Sequence, residues 1–415
     1  MSAYENRRGR MTVQLCDAAG APLCGAAVDY AQQTHEFLFG CGAFDTLPAT
    51  APVEGAAAAE DRAFYRDRVD KWLGVFNYGT LPFYWGQFEP VEGCPLTESR
   101  MRAARFLQEH GVRVKGHPLC WHTVCADWLM EYDNKTILRK QLDRIQREVS
   151  TFRGVVDIWD VINEVVIMPV YRQDNAVSRI CRDLGPVELV RQVFAAARQA
   201  NPDAMLLIND FNLSDKYRDL IAACLDAEVP ISAIGLQTHQ HQGYMGRERL
   251  EEILEWFSVF GLPLHFTENT LLSGHLMPPD IVDLNDYQPD EWPTTPEGEK
   301  RQSREWEEML RILFAHPLVQ AVTGWDFADG AWLNAPSGLV RADNSPKPAY
   351  RTLQRLIHEE WTSRGVLHTD QNGMAELEGF RGRYSLRAGR SQGAVTLSAQ
   401  GAAQPRRVVL QPMNS

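Results

Sequence analysis

The chain has 415 residues, 44% hydrophobic and 23% charged, which excludes a disordered or fibrous protein and suits one large domain with an accessory. Lys plus Arg number 42 against 54 Asp plus Glu, a net charge of −12 that argues against nucleic acid as a partner, and no apolar run is long enough to span a membrane. The opening MSAYENRRGR carries charge with no apolar segment behind it, so no secretory leader is read. The eight cysteines, none in a CxxC pair, then read as reduced thiols of a cytoplasmic protein.

In chain order, short β segments come first, at 12–16 and 26–32, split by the turn Asp17-Ala18-Ala19-Gly20. Strand-like runs then fall at 36–43, 75–81, 113–121, 155–164, 205–211, 233–239, 264–269 and 322–329. Helical patterns such as 138–152 and 187–200 lie between them. A helix over 296–314 is marked by Thr295 as N-cap and Pro296 at its first position. Buried parallel strands lose in–out alternation, so these eight runs predict an α/β fold, a (β/α)₈ TIM barrel over 36–360. The competing doubly wound sheet needs a glycine-rich phosphate loop after its first strand. That strand ends Phe39-Gly40-Cys41-Gly42-Ala43-Phe44, without GxGxxG spacing. From Trp361 onward there are seven arginines, three acids and no lysine, and short strands are read at 365–369, 374–378, 382–386, 394–399 and 406–411. Small β segments at opposite ends cannot each bury a core. Residues 8–35 and 361–415 are therefore expected to form one discontinuous accessory β-sandwich.

In such a barrel the C-terminal strand ends carry the site. Six ends are polar or aromatic: His117-Pro118-Leu119-Cys120-Trp121-His122, Trp159-Asp160-Val161-Ile162-Asn163-Glu164, Asn209-Asp210-Phe211-Asn212, Gln237-Thr238-His239, Thr267-Glu268-Asn269, and Trp325-Asp326 continuing to Trp332. Glu164 and Glu268 are the candidate catalytic pair. Either alone would read as a salt-bridged barrel carboxylate. His239 and His241 alternate as a metal pair would, but no third ligand is evident, so no metal and no cofactor are expected. Asp210 reads as a carboxylate that anchors backbone, and Trp128, Trp159 and Trp256 read as core.

GHPLCWH, WDVINE, INDFN, IGLQTH, HFTE, Trp325, Trp332 and KPAY together resemble the motifs of glycoside hydrolase family 10, the retaining endo-β-1,4-xylanases, between about residues 36 and 350. The resemblance implies Glu164 as general acid/base and Glu268 as nucleophile, with a carboxyl separation of about 5–5.5 Å. It implies that Asn163 holds the 2-hydroxyl, Gln237 positions Glu164 or a water, and His239 orients Glu268. His117 and His122 would line the sugar pocket beside Trp121, and Trp325 and Trp332 would stack on sugar faces. It departs at the second strand, where the family's Glu, Asn and Lys become Thr80, Leu81 and Tyr84. Tyr84 is counted as substrate-binding, Leu81 as leaving sugar hydroxyls unpaired, and the long loop 273–293 as narrowing the same mouth.

The expected function is a retaining β-glycoside hydrolase, an endo-β-1,4-xylanase or xylo-oligosaccharide hydrolase acting on an oligosaccharide or polysaccharide. A β-glycosidase for a different or aglycone-bearing substrate, a carbohydrate-binding protein without catalysis, and a metal-dependent barrel hydrolase are the alternatives.

Overall fold

A strand covered on both faces has no solvent side, and the computed structural model, which describes residues 4–53, 55–399 and 404–413, shows eight such strands closed on themselves. They are Leu38–Gly42, Tyr78–Pro82, Arg113–His117, Ile158–Asn163, Met205–Asp210, Ala233–Leu236, Leu264–Leu271 and Val319–Gly324. Each lies beside the next in chain order, and the eighth bonds to both the seventh and the first. Every residue of the second, fourth and seventh strands is buried. The expected TIM barrel is therefore present.

Inside and outside still alternate. A Cβ on Gly79 would meet Trp72 and Leu107 of the outer helices Ala56–Leu73 and Thr97–Glu109, at 3.2 and 3.4 Å. Tyr78, its neighbour, turns its ring edge-on to His265 across the lumen, 6.3 Å between centroids. Leu81 shares the outward face of Gly79 and is fully buried, as is Thr80. Leu81 therefore points to the outer helices, and the expectation that it meets sugar hydroxyls is corrected.

The helices start where their caps direct. Asp133 accepts from the Thr136 N–H at 2.8 Å before Asn134–Thr151, and Thr295 Oγ1 accepts from the Gly298 N–H at 3.0 Å before Pro296–Ala315. The eighth strand ends earlier than its apolar run suggested. Trp325, Phe327 and Ala328 are buried beyond Gly324, but Leu339 and Val340 donate to the Phe327 carbonyl at 2.9 and 3.0 Å. The Trp325 N–H still donates to Asn269 of the seventh strand at 2.9 Å, but beyond it a loop rather than a ladder takes up the Phe327 carbonyl, so hydrophobicity persists where the strand does not.

One compact unit, Phe39–Met309 with Leu318–Arg351, holds the barrel. The other comprises Met1–Leu38, Leu310–Pro317 and Thr352–Ser415. Within it, Arg8–Cys16 pairs between Met374–Phe380 and Arg406–Val409. A five-stranded sheet runs in the order Arg364–His368, Ala27–His35, Gly382–Ala388, Ser391–Leu397, Gln411–Pro412. Val13, Leu15, Val28, Leu377, Tyr384, Leu386 and Leu397 from both sheets share one core, making a sandwich of the two chain ends. All eight cysteines are free, and no helix among the described residues is long and apolar enough to cross a membrane.

Lys347, of the KPAY segment, has a fully buried side chain. It donates to Ser273 Oγ at 2.8 Å and to the Gly338 carbonyl at 2.9 Å, and it pairs with Asp329. One ammonium thereby ties the loop after the seventh strand to the loop after the eighth. Removing one partner of a buried ion pair leaves the other desolvated and unpaired, at about 3–5 kcal/mol. Lys347→Ala should lower the urea midpoint by a corresponding amount. Lys71→Ala, which breaks the more exposed pair with Asp67, should lower the unfolding free energy by about 1 kcal/mol or less in the same titration.

Candidate active site

Two strand ends are distorted where they carry their glutamates. The fourth strand shifts register against the fifth between Asp160 and Ile162, and the seventh shifts against the eighth between Phe266 and Asn269. Such irregularities re-aim side chains. Glu164 follows the fourth strand at φ 56°, in the left-handed region that costs a non-glycine residue about 1–3 kcal/mol. Its N–H donates to the Asn209 carbonyl at 2.8 Å, which holds the turn.

Amides then join the two carboxylates. Asn209 Nδ2 donates to Glu268 Oε1 and to Asn163 Oδ1, each at 2.7 Å. Asn163 Nδ2 donates to Glu164 Oε1 at 3.1 Å, and Gln237 Nε2 reaches Asn163 Oδ1 at 3.0 Å and Glu164 Oε1 at 3.4 Å. Thr267 Oγ1 donates to Asn209 Oδ1 at 2.7 Å and so fixes the orientation of that amide. Trp121 Nε1 donates to the other oxygen of Glu164 at 2.8 Å. His239 Nε2 lies 3.1 Å from Glu268 Oε2, and His117 Nδ1 lies 3.9 Å from Glu268 Oε1. Below them His117 meets Asp160 Oδ2 at 2.7 Å, and fully buried Lys115 meets the same oxygen at 2.6 Å.

These surroundings drive the two carboxyls apart. Burial, then the charge of Glu268, pushes Glu164 up to about 8, against the opposing hydrogen bond from Trp121. Burial would raise Glu268 too, but His117, His239 and Lys115 outweigh it and hold Glu268 below the usual carboxylate range. One carboxyl is thus kept protonated and the other ionised near neutrality, the division of labour that acid–base chemistry on one bond requires.

Aromatic rings wall the pair. Tyr84 lies against Trp121 and His117, with centroids 5.4 and 5.7 Å apart. Trp325 contacts His117 and His239 at 5.3 and 5.9 Å, and Trp332 lies 4.7 Å from His239. Trp332 is backed by a small core of Leu272, Met277, Trp292, Leu333 and Ala335, so the loop 273–293 supports a platform at this mouth.

The structure gathers Glu164, Glu268, His117, Trp121, Asn163, Gln237, His239, Trp325, Trp332 and Tyr84 into one cluster. His122 is not brought to the carboxylates. It is buried, its ring packs on Tyr171 at 4.1 Å, and burial lowers it to about 4. Asp210 anchors backbone, accepting from Val166 N–H at 3.0 Å and Asn212 N–H at 2.9 Å. Trp159 is fully buried, whereas Trp256 lies on an outer helix under Arg218 and Arg249. Asn209, the amide joining both carboxylates, was not singled out from the sequence. Its signal was its place in INDFN, at the end of a strand between those bearing the two glutamates. Among the described residues no group of three metal-ligating side chains occurs.

Residues 85–356 match the family model described as Glycosyl hydrolase family 10. Endo-1,4-beta-xylanase B of Thermotoga neapolitana is 28% identical over 299 residues, 68% of this chain and 80% of that protein. Endo-1,4-beta-xylanase of Geobacillus stearothermophilus is 29% identical over 266 residues, 58% of this chain and 76% of that protein. Among solved structures, a GH10 protein from Paenibacillus barcinonensis aligns with a TM-score of 0.63 at 23% identity, covering 77% of this chain and 94% of that one.

The indole of Trp121 stabilises the ionised form of Glu164, and the charge of Glu268 destabilises it. Trp121→Phe should raise the Glu164 titration midpoint above about 8, and Glu268→Gln should lower it by about a unit or more. Carboxyl-labelled NMR titration reads both shifts, and opposite signs would refute the electrostatic assignment.

Proposed function

This chain belongs to glycosyl hydrolase family 10, and on that premise we propose that Glu164 and Glu268 cleave β-1,4-xylosidic bonds by double displacement with retention. The observation that carries the reading is the opposite displacement of the two carboxyls within one amide network. The substrate class follows the printed activities of the relatives, which are endo-1,4-beta-xylanases, and covers xylan and xylo-oligosaccharides.

In the first step ionised Glu268 attacks the anomeric carbon and forms a glycosyl ester, while protonated Glu164 gives its proton to the departing glycosidic oxygen. Loss of that proton brings Glu164 to the state in which it can accept one. In the second step it takes a proton from water, the resulting hydroxide oxygen bonds to the anomeric carbon, and the ester to Glu268 breaks. His239 and Asn209 hold the two oxygens of Glu268. Trp121 and Asn163 hold those of Glu164. Trp325 and Trp332 offer ring faces to the apolar side of the sugar. Every step uses protons of the protein and water, so the reaction needs no metal.

Glu268→Gln should abolish turnover without unfolding the chain. Glu164→Gln should slow xylobiose hydrolysis roughly 10²–10⁴-fold. Glu164→Ala should keep far more of its kcat/KM on a nitrophenyl glycoside, whose leaving group departs without a proton, and should show a burst of nitrophenol because the second step has lost its base. The first product seen by NMR should be the β-anomer. An initial α-anomer would indicate inversion and require carboxyls about 6.5–9.5 Å apart. In the pH profile of kcat/KM, the alkaline limb should lie near 8, where Glu164 loses its proton. The acid limb should lie below the ordinary carboxylate range, set by Glu268.

A further inference from the structure

We propose that Asp326 is a specificity-determining residue, which accepts a hydrogen bond from a hydroxyl of the sugar that Glu268 attacks. The inference rests on the reading of Glu164 and Glu268 given above.

Asp326 follows Trp325 at the mouth of the barrel and is 7% exposed. One oxygen is committed: Ser337 Oγ donates to Oδ2 at 2.5 Å. The other, Oδ1, receives no hydrogen bond from the described residues and is not sealed from solvent. Burial, with the charges of Asp329 and Asp45, pushes the Asp326 carboxyl up to about 7 against the hydrogen bond from Ser337, so its ionised form is costly until a donor comes to it, and no cation of the protein pairs with it. Lys347, the cation whose field it feels, is committed to Ser273, Gly338 and Asp329.

The position of the free oxygen suits a sugar. Phe44 packs edge-on to both Trp325 and Tyr84, 5.4 and 6.4 Å between centroids, so these three rings form one wall. The Tyr84 phenol on that wall feels the charges of Glu268, Glu164 and Asp326 together. Trp325 contacts the two histidines that flank Glu268, His117 and His239. The leaving group must depart past Glu164, which protonates it. Residues gathered around Glu268 therefore face the ring that is transferred. An acceptor beside flat apolar rings is the pairing that a pyranose, with apolar faces and donating edges, requires.

The alternative is that Asp326 serves only to hold Ser337. The two roles separate in a cycle that deletes the carboxylate and the sugar hydroxyl in turn. Asp326→Asn retains an acceptor oxygen for Ser337. The probes are the aryl β-glycoside that the wild type turns over fastest, chosen among β-xylosides, β-glucosides and β-xylobiosides, and its monodeoxy derivatives. Asp326→Asn should lower kcat/KM on the parent roughly 10- to 100-fold, the range for a hydrogen bond to a charged group. One deoxy derivative should cost the wild type a similar factor and cost the variant almost nothing further. Equal penalties in wild type and variant for every derivative would overturn the assignment. If Asp326→Asn does not fold, the wild type with a matching amino-deoxy series decides. An ammonium at one ring position should lower KM at least several-fold relative to the deoxy compound, and no such position would overturn the proposal. Absence of turnover on every parent glycoside would instead defeat the hydrolase reading, and this inference with it.

Discussion

Two carboxylates buried within each other's field cannot both ionise without compensation, and the barrel compensates only one of them. Glu268 has imidazoles on both sides and a lysine behind, and Glu164 has neutral donors: an indole and two amides. The asymmetry is built one layer below. Lys115 and His117 both converge on Asp160 at the base of the site, and although burial opposes it, they hold that aspartate ionised. From that base His117 and Lys115 both act to favour the ionised form of Glu268. Replacing these groups by apolar residues of similar volume need not unfold the barrel, but it would leave His239 as the remaining imidazole favouring ionised Glu268 and so narrow the difference between the two glutamates.

The closed sheet is what makes the arrangement possible. The groups that touch the two glutamates come from the ends of the third to seventh strands, and only parallel strands in a ring bring five such ends to one mouth. The cost appears as local strain. Glu164 sits in the left-handed region and its own N–H is used to bond the neighbouring strand's Asn209. An extended Glu164 would continue the strand and carry its side chain away from Trp121. The same residue, Asn209, therefore holds Glu164 through its backbone and Glu268 through its side chain. That double use explains why an amide at this position carries more than its small size suggests.

Much of this was legible in the amino-acid order, and the failures have physical causes. The glutamates were legible because each stands in a motif at a strand end, where a barrel concentrates polar groups. The end of the last barrel strand is hidden in the sequence because Phe327 and Ala328 are as buried as a strand while the Phe327 carbonyl bonds to a loop. Leu81 was misjudged because burial on both faces hides which residues point to the helices and which to the lumen. Only the packing of Gly79 against Trp72 and Leu107 reveals the parity. His122 was misplaced because adjacency in sequence to Trp121 does not carry adjacency in the site once the chain has left the strand. Asn209 went unassigned because an asparagine in a short motif has many structural uses, and its role exists only through contacts to residues 46 and 59 positions away.

The second strand shows how a site can change while its chemistry stays. The family match begins at Trp85, immediately after the segment in which the residue types depart. Of the three substituted positions, Thr80 and Leu81 are sealed inside the barrel wall, and Tyr84 alone meets the site, half-buried against Trp121, His117 and Phe44. A glutamate at position 80 would lie across the sheet from buried Lys115, and an amide at position 81 would be desolvated against the outer helices, so reverting these two positions would first alter the barrel wall. Recognition on this side therefore rests on what faces the opening: aromatic surfaces and the unclaimed oxygen of Asp326. The rings of this wall pack directly on Trp121, His117 and His239, which hold the two carboxyls apart, so rebuilding the wall for another sugar would also move the groups that set the protonation of Glu164 and Glu268.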